Sequence, residues 1–317
     1  MSRSRSVVAL VALMLAAGAA PVVAQVPPAE LARSVDIPFE EFALDNGLRV
    51  VVHTDRKAPV VAVQAWYNVG SKDEPRGQTG FAHLFEHIGL FNPTENLPGG
   101  LMEPLRAMGA TDWNGTTWYD RTNFFQTVPT SALDQALYME SDRMGHLLGA
   151  LNQERLDNQR GVVQNEKRQR DNQPYGLVFY EISEALFPEG HPYRHSTIGS
   201  MADLDAASLE DLRRWHRDNY GPNNAVLVLA GDIDAATARD KVERWFGHIP
   251  RGAQNTPAEA DIPTLPARVD RVMHDRVPNT RLTRTWAVPG LRDDASAELQ
   301  VAASVLGGLG SSRLDNE

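Results

Sequence analysis

Cysteine is absent from all 317 residues. No disulfide can brace the fold, no lipid can be attached through a thioether, and no thiolate can serve as nucleophile. Any metal has to be held by His, Asp or Glu. Positive charge is also short: the formal net charge is −10, so the basic surface that nucleic acid demands is missing. The acidic balance bears first on solubility and is compatible with cationic peptides as substrates. After residue 24 no apolar run is long enough to cross a bilayer, for which roughly 20 residues are needed.

The one long apolar run stands at the start. Arg3 and Arg5 precede VVALVALMLAAGAA (7–20), and small residues lead to Ala24. This layout predicts a secretory signal peptide, residues 1–24, cleaved before Gln25. The rival, an uncleaved membrane anchor, is disfavoured by the shortness of the apolar core. An exported chain without cysteine points to a bacterial envelope compartment, the periplasm. No membrane span remains after cleavage.

The remaining length suffices for two domains. FEEFALDNGLRVVVHTD reads as a β-hairpin turning at Asp45-Asn46-Gly47, and PVVAVQAWYNVG (59–70) as a third strand. SKDEPRGQTG is a loop. Two strands are expected in ATDWNGTTWYD and TNFFQTVP, and long helices over 131–151 and 153–172, the second closed by Pro174. YEISEALF is helical and HPYRHSTIG a loop. SLEDLRRWHRDNY (208–220) is a helix capped by Ser208, NAVLVLAGDI (224–233) a buried strand, and 235–249 another helix. Residues 251–267, rich in Pro and Ala, read as a linker. Beyond it, RVDRVMHDRVPNTRLTRTWAVPG has strand character and DASAELQVAASVLGGLG is a helix. That is too little for an independent core.

The chemistry concentrates in GFAHLFEHIGLF, residues 80–91. On a helix, at 100° per residue, Glu86 lies about 300° and His87 about 40° round from His83, so the three share one face. Two imidazoles one turn apart can chelate a cation. Zinc accepts nitrogen and oxygen donors tetrahedrally and leaves a position for water, and a neighbouring carboxylate can take that water's proton. The order is HxxEH, the reverse of the commoner HExxH. The pentapeptide alone is equally compatible with two surface histidines sharing a helix face. Ala82, Leu84, Phe85 and Ile88 around the trio favour the metal, because unpaired polar groups in a dry helix are costly.

A third ligand must come from the seven other histidines, an Asp or a Glu. His191 and His195 are four apart, but Pro192 between them argues against a second helical pair. Glu166 lies on an expected helix, 79 residues after His87, and Gln159 shares its face two turns earlier.

HLFEH followed at that distance by NQRGVVQNEKRQRDNQPYG resembles the pitrilysin–insulinase family of zinc metallopeptidases, in its exported bacterial branch. MEPLRAMGATDWNGTTWYDRTNFFQTVP and ALDQALYMESDRMGHLL carry the same resemblance, which runs over about residues 36–317. It implies an α+β fold, a mixed, largely antiparallel sheet covered by helices, in duplicated units that enclose a chamber. It implies one zinc ion per chain on His83, His87 and Glu166, with Glu86 as general base. Gln159 takes the place of a supporting glutamate in many members, keeping the hydrogen-bonding capacity and losing the charge. EHIGLFNP departs from the usual methionine and glycine after the second histidine. A substrate peptide is expected to add as a strand beside Asn114 and Gly115. The competing reading makes Trp113, Trp118 and Tyr119 plain core aromatics and Asn114-Gly115 a turn.

By the same resemblance, residues 36–250 form the zinc-peptidase domain and 268–317 an incomplete second homologous domain. The family's second domain supplies an arginine and a tyrosine to the substrate, so a homologous domain or partner subunit would complete the chamber. The expected activity is zinc-dependent endopeptidase action on peptides or unfolded polypeptides. Two alternatives are a non-catalytic or partner-dependent subunit for peptide binding or assembly, and a metal-dependent hydrolase of other bonds, such as esters.

Overall fold

Alternation of buried and half-buried side chains builds the sheet. In the computed structural model, which describes residues 36–315 together with Glu30, β2 (Arg49–Thr54), β3 (Val60–Tyr67) and β6 (Ala225–Gly231) each bury every second residue. Val50, Val52, Val61, Val63, Ala65, Tyr67, Leu227 and Leu229 form one apolar layer. A period of two puts such residues on one face of a pleated strand. β1 (Glu40–Ala43), β4 (Thr111–Thr117) and β5 (Thr122–Pro129) complete a six-stranded sheet in the order β1-β2-β6-β3-β5-β4. Only β2 and β6 run parallel; the other pairings are antiparallel. The sheet is thus mixed and largely antiparallel. The expected signal peptide, residues 1–24, lies outside the described residues.

Nine helices are described: α1 (Phe81–Phe91), α2 (Met102–Ala107), α3 (Leu133–Ala150), α4 (Gln153–Asp171), α5 (Val178–Leu186), α6 (Met201–Ala206), α7 (Leu209–Asn219), α8 (Ala235–Phe246) and α9 (Ala295–Gly307). α1 is buried nearly all round. Phe81, Leu84, Phe85 and Ile88 are each about fully enclosed, and burial of such side chains contributes roughly 1.5–3 kcal/mol apiece. Its first turn is capped from outside: the Glu74 carboxylate accepts the N–H groups of Gly80 and Ala82, both at 2.9 Å. Carboxyl oxygens placed there satisfy N–H groups that the first turn of a helix leaves without a partner. α4 starts on Asn152, whose side chain accepts the Arg155 N–H at 3.0 Å, and α7 starts on Ser208, as expected.

β6 inserts between β2 and β3 in the sheet. The structure departs from the sequence reading in two places. A short helix, α6, stands at Met201–Ala206, with Ser200 accepting the Asp203 N–H at 3.0 Å; six residues carry too little periodicity to announce themselves. The stretch 268–290, expected as strand, contains none. A strand needs a neighbour for its backbone groups, and no described element pairs with this segment. Val272, Leu282 and Trp286 stand exposed there.

Candidate metal centre

α1 and α4 pack together, and their facing surfaces carry the polar groups. The imidazole rings of His83 and His87 lie edge to face with centroids 4.7 Å apart. Glu166 of α4 reaches both: its Oε2 is 3.3 Å from His87 Nε2 and 3.6 Å from His83 Nε2. The other oxygen, Oε1, accepts from Arg170 at 2.7 Å, one turn further along α4. Arg170 therefore turns Oε2 toward the histidines. Among the described residues this is the group of three or more His, Asp or Glu that converges closely enough for one ion, with donor atoms within 4.8 Å of one another.

The distances fit a shared cation better than hydrogen bonds. A nitrogen–oxygen hydrogen bond is about 2.9 Å long. Two donors bound at about 2.0–2.2 Å to one tetrahedral ion stand roughly 3.3–3.6 Å apart. The protonation states agree. Burial, with His87 beside it, lowers the pKa of His83 to about 4, so its imidazole is neutral near pH 7. The His87 imidazole, more than burial opposes it, holds Glu166 below the usual carboxylate range. Two imidazoles and one carboxylate are a zinc-type donor set with a fourth position open. Both Nδ1 atoms are buried without a partner, so the Nε2 atoms are the pair aimed at a common point.

Glu86 faces the same space and is nearly enclosed. Burial raises its pKa, and a hydrogen bond from Thr117 works against that rise. Thr117 Oγ1 donates to Glu86 Oε2 at 2.7 Å. β4 crosses directly over this carboxylate. A Cβ on Gly115 would stand 2.9 Å from Glu86 Cγ and 3.3 Å from Oε1, so any side chain there would push the glutamate away.

β4 is the edge strand beyond β5, and its register breaks between Thr111 and Asn114. Bulges of this kind re-aim an edge beside a site. Asn114 Oδ1 accepts the Gly115 N–H at 2.9 Å. Asn114-Gly115 is thus part of a strand and not a turn. Gln159 is buried on α4, and its Nε2 approaches Asn92 Oδ1 at 3.4 Å. His195 lies apart from the group, 3.6 Å from the Glu74 cap. His191 packs on Phe187.

Three contributors were missed from sequence. Arg170 carried a signal, since Glu166 and Arg170 are four apart on a helix. Thr117 carried none, because it acts on Glu86 from a strand 31 residues further along the chain; Glu74 lies only six and eight residues before the N–H groups it caps, in a stretch read as a plain loop.

Two family models match the chain. One, described as insulinase (peptidase family M16), covers residues 49–199; the other, the peptidase M16 inactive domain, covers 206–317. The chain belongs to the pitrilysin/insulinase family. A relative from Helicobacter pylori, named zinc protease PqqE, is 29% identical over 283 residues, 88% of this chain and 63% of that protein. A crystal structure of a protease from Helicobacter pylori matches with a TM-score of 0.65 at 29% identity, over 70% of this chain and 53% of that one. The periplasmic protease PqqL of Escherichia coli matches with a TM-score of 0.64 at 25% identity, over 72% of this chain and 26% of that one. The chain therefore spans only part of the length of these relatives. No helix among the described residues is long and apolar enough to cross a membrane.

Proposed function

We propose that this chain is a zinc-dependent endopeptidase acting on peptides or unfolded polypeptides. His83, His87 and Glu166 hold the metal and Glu86 is the general base. The observation that supports this most is the approach of one Glu166 oxygen to the Nε2 atoms of both histidines at 3.3 and 3.6 Å. When bound, zinc supplies a Lewis acid that acidifies water and polarises a carbonyl.

The chain's own residues do the rest. His83 and His87 offer their Nε2 atoms, and Glu166 adds one negative charge whose direction Arg170 sets. Thr117 ties down Oε2 of Glu86 and leaves Oε1 to take the proton of the attacking water and return it to the leaving amine. Burial of Glu86 brings its basicity closer to that working range. The β4 edge at Asn114 and Gly115 receives the substrate backbone as an added strand. Gly115, lacking a side chain, lets that backbone and Glu86 approach each other. Gln159 supports the ligand residues from behind without touching the ion.

Residues 36–250 form the peptidase unit in this reading, 251–267 a linker, and 268–317 the beginning of a second homologous unit. A further homologous domain or subunit completes the chamber. Residues 1–24 direct export to the periplasm, the compartment named for the Escherichia coli neighbour.

A second reading rests on the match of residues 206–317 to an inactive-domain model: a peptide-holding or assembly subunit without catalysis. Zinc content and cleavage of an unstructured fluorogenic peptide separate the two. The endopeptidase reading expects one zinc per chain and cleavage that Glu86→Gln removes while zinc stays. Zinc and peptide binding without cleavage, even beside the completing domain, would favour the subunit. Cleavage by Glu86→Gln at the native rate would sink the role given to Glu86.

A further inference from the structure

The stretch expected as a linker, and the residues after it, are tied down at successive points. From residue 252 to residue 281 the chain forms neither helix nor strand. Asn223 Oδ1 accepts the Gly252 N–H at 2.7 Å, and Asn223 Nδ2 donates to the Ala253 carbonyl at 3.0 Å. Further on, the Ala258 N–H donates to Asp73 Oδ1 at 3.0 Å. Tyr175 then receives the chain. Its N–H donates to Asp275 Oδ2 at 3.2 Å, and its hydroxyl donates to the Asn279 carbonyl at 2.6 Å. Arg281 lies over the same ring, 5.6 Å from the centroid.

Two of these anchor points lead to the two helices of the metal group. The Asp73 side chain is nearly enclosed, paired with Lys72 at 2.7 Å and accepting the Gly70 N–H at 3.0 Å. Its neighbour Glu74 caps the first turn of α1 through Gly80 and Ala82, just ahead of His83. Tyr175 stands in the turn after α4 with φ +64°. A residue with a side chain keeps that conformation only where its surroundings hold it. The turn folds back on α4: a Cβ on Gly176 would stand 2.2 Å from the Arg170 carbonyl oxygen. Arg170 is the residue that turns Glu166 toward the histidines. One extended segment therefore grips the loop that caps α1 and the turn that closes α4.

We propose that residues 258–281 are a strap that clamps α1 and α4 at the spacing the metal group needs, with Asp73 and Tyr175 as its anchors, so that a seated strap tightens the hold on the ion. This rests on the reading of His83, His87 and Glu166 as ligands. Donors held in place in advance lose little freedom when they bind. The coupling is reciprocal: the ion seats the strap by the same factor by which the strap tightens the ion. A partner that grips the chain beyond residue 281 thereby secures or loosens the metal group without touching it.

The test uses the full chain with zinc as the probe. Zinc affinity is read by competition with a chromogenic chelator, and strap seating by the rate of trypsin cleavage after Arg271, Arg276 and Arg281. Tyr175→Phe removes the hydroxyl donor, Asp275→Ala the acceptor, and Ala258→Pro the N–H that meets Asp73. Asp275 is exposed, so its change leaves the core intact. Each variant is expected to cleave faster in the strap and to bind zinc about three- to thirtyfold more weakly, the range for coupling through a packed network. Asp275→Asn, which keeps an accepting oxygen, restores both. Zinc slows strap cleavage in the unaltered chain and has no effect on it in His83→Ala. Absence of tight zinc from the unaltered chain would overturn the metal reading and this inference with it. Tight zinc that is indifferent to Tyr175→Phe, Asp275→Ala and Ala258→Pro combined, or strap cleavage that zinc leaves unchanged, overturns this inference alone.

Discussion

His83 and His87 reach one another within a single turn of α1, whereas His146 and His248 are 102 residues apart and meet only where α3 abuts the end of α8. The first pair is sunk in the core, with side chains 12% and 10% exposed; His146 is 35% exposed. Each has a carboxylate from another segment, used differently. Glu166 points its oxygen at both Nε2 atoms, where an ion would sit. Glu95 lies behind one ring, on Nδ1. A buried donor set with a carboxylate in front carries charge toward the cation in a poorly screened environment, so its hold is strong and its loss costly. The exposed pair meets head-on, ring centroids 5.7 Å and Nε2 atoms 3.4 Å apart, and has no common point in front of it for an ion.

The largest expected effect breaks the comparison outright. His83→Ala or Glu166→Gln should lower tightly bound zinc from one equivalent to nearly none, measured by metal analysis after dialysis, and abolish cleavage. If tight zinc persisted in both variants, the buried group would not be the metal site.

Next comes Glu86→Gln, expected to lower peptide cleavage by about a thousandfold, within the range for a positioned acid–base group, while tight zinc is unchanged. Loss of zinc instead would make Glu86 a ligand and redraw the buried site.

A third histidine sharpens the contrast in burial. His216 of α7 packs against both Phe85 and Tyr220, and burial lowers its pKa to about 4. Its ordinary value is about 6.5. The unfolded chain therefore binds the extra proton first as pH falls, so stability from this group is intact above about pH 6.5 and declines between there and about pH 4, by about 3 kcal/mol in all. His216→Phe keeps the stack and removes the proton. The gap in melting temperature between pH 7 and pH 5 should narrow; an unchanged gap would show that another group drives the acid loss.

The smallest effect tests the aim of the base. Thr117→Val should reduce kcat about tenfold, the low end for partners that orient site residues, with KM and zinc content held. A change confined to KM would make Thr117 a substrate contact rather than the group that orients Glu86.

Much of the fold was legible because strands and helices announce themselves over short distances. The alternation in VVAVQAWY predicts a one-faced strand, and β3 buries every second residue. The Asn46-Gly47 turn, with φ +93° at Gly47, matches a hairpin. Strand propensity in residues 268–290 misled, since no described edge receives that segment. At the site, the same-face grouping of His83, Glu86 and His87 was readable from helical spacing. Glu166 came through family resemblance, with no local rule linking residues 79 apart. Thr117, Glu95 and His248 had no signal of their own.

The sequence by itself determined what 100° per residue and a period of two dictate: which side chains share a helix face or a strand face, and that any metal must be met by nitrogen and oxygen. Only the tertiary structure decided which carboxylate faces the imidazoles, that β4 lies over Glu86 with a glycine at the crossing, and that His146 finds His248. The reason is that local geometry follows from backbone sterics between neighbours. The approach of distant segments follows from which apolar faces bury one another, and that is a property of the whole packed chain.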